Sequence, residues 1–266
     1  MRFRKFVEQF RVYLRDLRAS VAFGADTPSR LQLVRDFTLS RFISLVPRSQ
    51  RGRIREARFR DGITIRYRLN KGDLHSIREI WFEEDYYLPF QRSPGVLLDL
   101  GANIGMASIW LAKRFSFTEV IAVEPDPANA ALVRENLALN GINGQVVEAA
   151  IGPREGAARF KISELSNLGQ LSDNGLPVQM VTVDGIIERF AVESFALVKV
   201  DIEGGEEALF DGPAAWLERT KAIIMELHPE FVDCGRITDF IQSRGFHFIP
   251  AHTQIPDNLP CFTKYE

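Results

Sequence analysis

Polar residues of this 266-residue chain gather where short apolar runs stop. The run Val96-Leu-Leu-Asp-Leu100 ends in Gly101, and Asp99-Leu-Gly-Ala-Asn-Ile-Gly105 reads as a glycine turn leading into a helix N-terminus. Gly101 and Gly105 let the backbone approach a ligand closely, and the helix dipole favours an anionic group there. Their G-x-x-x-G spacing misses the G-x-G-x-x-G pyrophosphate fingerprint, which argues against a nicotinamide-dependent oxidoreductase. Asp99, just before the turn, would repel a pyrophosphate and suits a ligand bearing an ammonium group. Glu124 follows the run Val120-Ile-Ala-Val123, where a carboxylate can accept both hydroxyls of an adenosine ribose. Glu148 or its neighbours, after a third run, could meet an adenine edge. Each sign alone fits a structural role; together, in order and at run ends, they point to an adenosyl ligand.

A second polar cluster follows two later runs, Leu197 to Val200 and Ala222 to Met225. It holds Lys199, Asp201, Glu203 and Glu206, then Glu226 and His228. Alternation along Val198-Lys-Val-Asp201 would place Lys199 and Asp201 on one strand face. Parallel pairing of the two runs would bring Asp201 and Glu226 together. Carboxylates gathered there with a histidine could form a general base or an O,O,N metal site. No metal is assigned, and metal dependence stays open. The competing structural interpretation has Glu203 and Glu206 capping the following helix and His228, before Pro229, satisfied in a turn.

Chemistry at run ends requires elements that bring those ends to one edge. From residue 95 short apolar runs alternate with helical patterns: Ile104 to Phe115, then a helix opened by Pro127 and closed near Asn140-Gly141. Further strands are expected at Val146 to Ala150 and Phe246 to Ile249. Ala158 to Ile162 and Val178 to Val183 look like an inserted antiparallel pair around the Ser- and Asn-rich stretch 163–175. Strands separated by helices predict a three-layer α/β/α sandwich with a mostly parallel sheet, whose ligands bind at the strands' carboxyl ends. Before it stands a helical and hairpin appendage. Residues 1–18 space Phe3, Phe6, Val7, Phe10, Leu14 and Leu17 as one amphipathic basic helix. A turn at Gly24-Ala-Asp-Thr-Pro28 precedes a second helical stretch near 29–46, and Arg58 to Leu69 reads as a hairpin about Asp61-Gly62. The expected division is 1–70 for the appendage and 71–266 for the main domain.

Composition bounds these readings. At 45% hydrophobic and 26% charged residues the chain is an ordinary globular protein, neither disordered nor collagen-like. No run approaches the ~20 apolar residues of a membrane span, and the start lacks a signal peptide's apolar region. Cys234 and Cys261 have no ligand-spaced partners, which argues against a zinc ribbon or disulfide framework. A cytoplasmic setting is expected. The net charge of -2 hides an asymmetry: residues 1–60 carry fifteen Arg or Lys against five Asp or Glu. The basic segment therefore either docks on the acidic body or meets an anionic partner, and residues 1–18 could lie in a membrane interface.

Val96-Leu-Leu-Asp-Leu-Gly-Ala-Asn-Ile-Gly105, Val123-Glu-Pro-Asp126 and Val198-Lys-Val-Asp-Ile-Glu-Gly-Gly-Glu206 resemble the FkbM-type class I S-adenosylmethionine methyltransferases. The resemblance covers about residues 75–250, with Glu79-Ile-Trp through Tyr87 similar to the family's lead-in and Gly205 where alanine is more usual. It implies a Rossmann-like fold and S-adenosyl-L-methionine as cofactor. Asp99, Gly101, Asn103 and Gly105 would surround its methionine part, with Ala102 in the same turn. Glu124, followed by Pro125, would hold the ribose, and Asp201 would lie near the methyl group. It also implies transfer to a hydroxyl oxygen of a small-molecule acceptor, with a saccharide as the first candidate. Asp201, Glu226 and His228 are the expected catalytic residues. The alternatives are N-methylation, including of RNA, and a non-catalytic adenosyl-binding module. RNA has only the basic segment in its favour, and the joint presence of Asp99, Glu124 and Asp201 argues against the module. Oligomeric state is not legible.

Overall fold

The computed structural model describes residues 2–88, 94–161, 170–171, 174–211, 214–249 and 259–264. Ile162 and most of the stretch 163–175 lie outside these residues, as do the side chains of Phe3 and Phe6. The chain divides into two compact units, Met1–Glu83 and Glu84–Glu266.

The first unit runs through α1 (Arg2–Phe23), α2 (Thr27–Arg41), a short α3 (Arg48–Arg51), the hairpin of β1 (Ile54–Arg58) and β2 (Thr64–Arg68), α4 (Lys71–Ile77) and one π-helical turn, Arg78–Glu83. The turn before α2 is a helix cap: the Asp26 side chain accepts from the Ser29 N–H, and Pro28 occupies the first turn, where a missing N–H is harmless. The unit continues past the break expected after residue 70. Arg78 donates to Asp16 at 2.7 and 2.8 Å. Trp81 stacks on Phe59 and donates to Asp61 at 3.0 Å. These contacts span up to sixty-two residues of sequence, so no local window reveals them.

Of the apolar stripe expected on the first helix, Val7 and Leu17 are only half-buried. Asp16 and Ser20 are buried instead, while Phe10 is 50% and Leu14 37% exposed. A carboxylate shared by Arg78 and Arg41 must sit with them, away from water, and that requirement fixes the rotation of α1. Tyr13 bonds Thr38 at 3.0 Å, with the Arg41 guanidinium over its ring. The middle of α1 therefore lies beside the end of α2, and Phe10, Phe42 and Leu45 are exposed.

The second unit continues with β3 (Val96–Leu100), α5 (Met106–Phe115), β4 (Glu119–Val123), α6 (Pro127–Leu139) and β5 (Gly144–Val147). Then come β6 (Ala150–Ile151), β7 (Gly156–Lys161), β8 (Gln170–Leu171), β9 (Leu176–Val181), α7 (Val183–Phe190) and β10 (Phe195–Val200). β11 (Ala222–Met225), α8 (Cys234–Ser243), β12 (His247–Ile249) and β13 (Cys261–Thr263) complete it. The main sheet has the order β12-β13-β11-β10-β3-β4-β5. The five strands from β11 to β5 are parallel, and β13 runs antiparallel to both neighbours. The expected inserted pair is β7 with β9, part of a separate four-stranded sheet.

One face of the main sheet, with Leu98, Leu100, Ile121, Val198 and Val200, packs on α7 and α8. The other carries Asp99, which reaches Ser108 of α5. Three layers result, and β10 is buried along its whole length because both faces are covered. Strand order reverses between β3 and β10, and the carboxyl ends of that pair form the crevice where such sheets bind ligands.

Candidate active site

The turn after β3 is shaped by a near-collision. Gly101 has φ 78°, and a Cβ there would come within 1.7 Å of the Asp201 carbonyl oxygen. Only glycine fits, and the two polar clusters of the sequence are thereby pressed against each other. Gly105 caps α5 at φ 82°, against Val133 of α6, and the Asn136 amide donates to the Ile104 carbonyl at 2.8 Å. The N–H groups of Gly101 and Ala102 both donate to Val123 at 3.0 Å, which fastens the turn to the end of β4.

Glu124 fastens it again. Its Oε2 accepts the Asn103 N–H at 2.8 Å, and its Oε1 accepts the Asp126 N–H at 2.9 Å and the Asn129 amide at 3.4 Å. A carboxylate has about four lone-pair sites, so the side chain expected to hold two ribose hydroxyls already spends most of its capacity on the protein. Burial pushes this carboxyl up to about 8, against the two backbone N–H groups that favour its charged form. A hydroxyl donating to it would restore the carboxylate.

Asp99 is not placed to meet an ammonium group of a ligand directly. It is fully buried beneath the turn, where Ser108 donates to its Oδ2 and Lys199 Nζ lies 3.2 Å from its Oδ1. The two residues are register partners on adjacent parallel strands, so the pair follows directly from the alignment of β3 with β10. Lys199 also donates to the Gly101 carbonyl at 2.9 Å and lies 3.4 Å from Asp201 Oδ2. Its charge is held well above the ordinary lysine range by Asp99 and Asp201, which outweigh its burial.

Asp201 and Glu226 do end neighbouring strands: Val200 is paired with Met225, and the Glu226 N–H donates to the Val200 carbonyl at 2.8 Å. His228 joins them. Its Nδ1 is 2.8 Å from Glu206 Oε1 and its Nε2 3.5 Å from Glu203 Oε2. Glu206 precedes the 3-10 turn Glu207–Phe210, but its side chain makes no cap bond there; it is fully buried and also accepts the Gly204 N–H at 3.1 Å. Glu203, at φ 53°, turns its carboxyl toward the same histidine. The hydrogen bond that His228 donates to Glu206, reinforced by the charges of Glu206, Glu203 and Asp201, outweighs burial and raises His228 to about 9. Burial, then the charges of Asp201, Glu226 and Glu206, raise Glu203 to about 8, with His228 opposing. These neighbours favour the charged form of His228, which accepts no proton.

Glu148 stands apart from this cluster, exposed after β5 and 3.3 Å from Arg134 of α6. Pro125 forms the half-buried bend between Glu124 and α6. The sequence did not reveal three contributors. Ser108 holds Asp99, and the buried Tyr86 ring lies 5.7 Å from Lys199 Nζ. Phe231, 58% exposed, packs so tightly on Gly204 that a Cβ there would meet it at 2.9 Å. Nothing in the local pattern marks any of them, because each acts across the fold.

Residues 99–248 match the methyltransferase FkbM domain family. The chain is similar to the 31-O-demethyl-FK506 methyltransferase FkbM of Streptomyces tacrolimicus, at 23% identity over 79% of this chain and 93% of that protein. It is also similar to methyltransferase sdnD of Sordaria araneosa, at 26% identity over 58% of this chain and 56% of that one. Among solved structures, the methyltransferase FkbM from Methylobacillus flagellatus aligns with a TM-score of 0.48 and 17% identity, covering 94% of this chain and 58% of that longer one.

Proposed function

The chain belongs to the FkbM methyltransferase family and uses S-adenosylmethionine, and from that premise we propose that it methylates a hydroxyl oxygen of a small-molecule acceptor. The carrying observation is the crevice at the β3–β10 reversal, where the Gly101 turn touches a cluster of four carboxylates and one histidine. The glycine turn, Asn103 and Gly105 receive the methionine part, and Glu124 gives its remaining lone pair to the ribose. Glu148 would meet the adenine only by leaving Arg134, at little cost for a surface pair.

In the reaction the acceptor oxygen forms a bond to the methyl carbon while the carbon–sulfur bond breaks, leaving a neutral thioether. The sulfonium is already activated, so the protein's contribution is alignment and removal of the hydroxyl proton. Asp201 lies beside the methyl group, and Glu226 receives the proton. His228, whose charged form its neighbours favour, orients the carboxylates. The exposed Phe231 ring at the rim offers an apolar platform suited to one face of a sugar ring, which supports a saccharide acceptor.

No described helix is long and apolar enough to cross a membrane. The unpaired Cys234 and Cys261 suit work in the cytoplasm. The exposed Phe10, Leu14, Phe42 and Leu45, on a unit rich in arginine, support contact with an anionic partner or membrane surface. Turnover of labelled S-adenosylmethionine against fractionated cell metabolites tests the whole proposal. Label on the oxygen of a small metabolite is the expected result, and label confined to nitrogen or to RNA refutes it.

A further inference from the structure

Asp201, Glu203 and His228 each present one ligand atom, and these atoms all lie within 4.8 Å of one another. His228 Nε2 and Glu203 Oε2 are 3.5 Å apart. Two donors held ~2.1 Å from one cation stand ~3.0 Å apart at a right angle and ~3.4 Å apart at the tetrahedral angle, so this pair admits an ion with almost no movement.

Glu206 supplies an independent observation. It accepts from His228 Nδ1 at 2.8 Å, which leaves Nε2 directed at Glu203. A carboxylate behind a histidine in this way fixes the ring toward a metal. The other oxygen of Glu206, Oε2, is buried with no hydrogen-bond partner, so the charge behind the ring is only half satisfied. Asp201, Glu203 and Glu206 all act on this one imidazole, and Glu226 acts on Glu203. Lys199 is shared between Asp99, the Gly101 carbonyl and Asp201 and cannot offset them all.

We propose that Asp201, Glu203 and His228 hold a divalent cation of the Mn2+, Fe2+ or Zn2+ type, which takes the acceptor's hydroxyl oxygen as a further ligand beside the methyl group. One imidazole with two carboxylates suits that class of ion. The inference rests on the O-methyltransferase reading and deepens it. The cation takes the position of the imidazolium proton on Nε2, and the bond from Nδ1 to Glu206 persists. A hydroxyl bound to a cation loses its proton far more readily, and Glu226, outside the ligand set, receives that proton.

The test uses the full chain stripped with a chelator and titrated with Mn2+ alone, free Mn2+ being read by electron paramagnetic resonance. Affinity for S-adenosylhomocysteine is measured in parallel by calorimetry. One equivalent of Mn2+ should bind. Glu203→Gln and His228→Gln should each weaken it at least tenfold, with S-adenosylhomocysteine affinity changed less than threefold. Glu206→Gln, which acts through the histidine, should also weaken Mn2+ binding by ~10-fold or more. Circular dichroism reports folding, and should His228→Gln not fold, Glu203→Gln carries the decision. Wild-type protein that binds S-adenosylhomocysteine but no Mn2+ below millimolar concentration overturns the cation site. Equal Mn2+ affinity in Glu203→Gln and wild type overturns it too. Failure of the wild type to bind S-adenosylhomocysteine would instead overturn the cofactor assignment beneath it.

Discussion

Replacing Lys199 by Met should be among the most damaging single changes in the second unit, and the structure says by how much. The ammonium is almost fully buried, 3.2 Å from an Asp99 that is itself fully buried, and it also holds the Gly101 carbonyl. Methionine fills a similar volume but leaves Asp99 charged, dry and unpaired. Breaking a buried pair from one side costs ~3–5 kcal/mol, which for a unit of this size lowers the melting temperature by roughly 10 °C. Adding Asp99→Asn removes the orphaned charge, and the amide oxygen can still accept from Ser108. The double variant should therefore recover most of the loss. Chemical denaturation of the four proteins of this cycle measures the coupling directly. The double variant should also bind S-adenosylhomocysteine within about threefold of wild type, because Asp99 lies under the turn and not against the ligand. If Lys199→Met costs less than ~1 kcal/mol, or the double variant is no more stable than the single, the buried-pair reasoning is wrong. A tenfold loss of ligand affinity in the double variant would return Asp99 to direct contact with the ammonium group.

Three further outcomes are expected. Affinity for S-adenosylhomocysteine should rise with pH up to about 8 and then level off, because burial favours the protonated form of Glu124 in the free protein and the carboxylate accepts a ribose hydroxyl more strongly than the acid does. Calorimetry from pH 6.5 to 9 should show the slope in the wild type, and the same slope in Glu124→Gln would sink the assignment. Glu148→Ala removes an exposed pair with Arg134, worth at most ~1 kcal/mol. It should leave ligand affinity within threefold, and a tenfold loss would place Glu148 on the adenine. Phe42→Glu combined with Leu45→Glu should abolish co-sedimentation with phosphatidylserine vesicles at low salt, while wild-type sedimentation that ignores lipid charge and salt would rule out the electrostatic contact.

The sequence by itself determined the alternation of strands and helices, the mostly parallel sheet and the turn at Gly101. It also placed Glu124 after β4 and put Asp201 beside Glu226 where two strands end. These features are local or follow from the two-residue period of a strand: an apolar run, a glycine where only positive φ fits, a proline opening a helix. Tertiary structure decided the rest. Asp99 becomes an internal counterion because β3 and β10 align it with Lys199 across one hundred residues of chain. Glu206 turns from a helix cap into the support of His228. The first unit runs past residue 70 because Arg78 reaches back to Asp16, and the same pairing buries Asp16 on α1 while Phe10 and Leu14 stay exposed. In every such case the deciding quantity was the partner of a charge withdrawn from water. Periodicity reports which face of an element is apolar, whereas the partner of a buried charge is chosen by residues far away in sequence and adjacent only after folding.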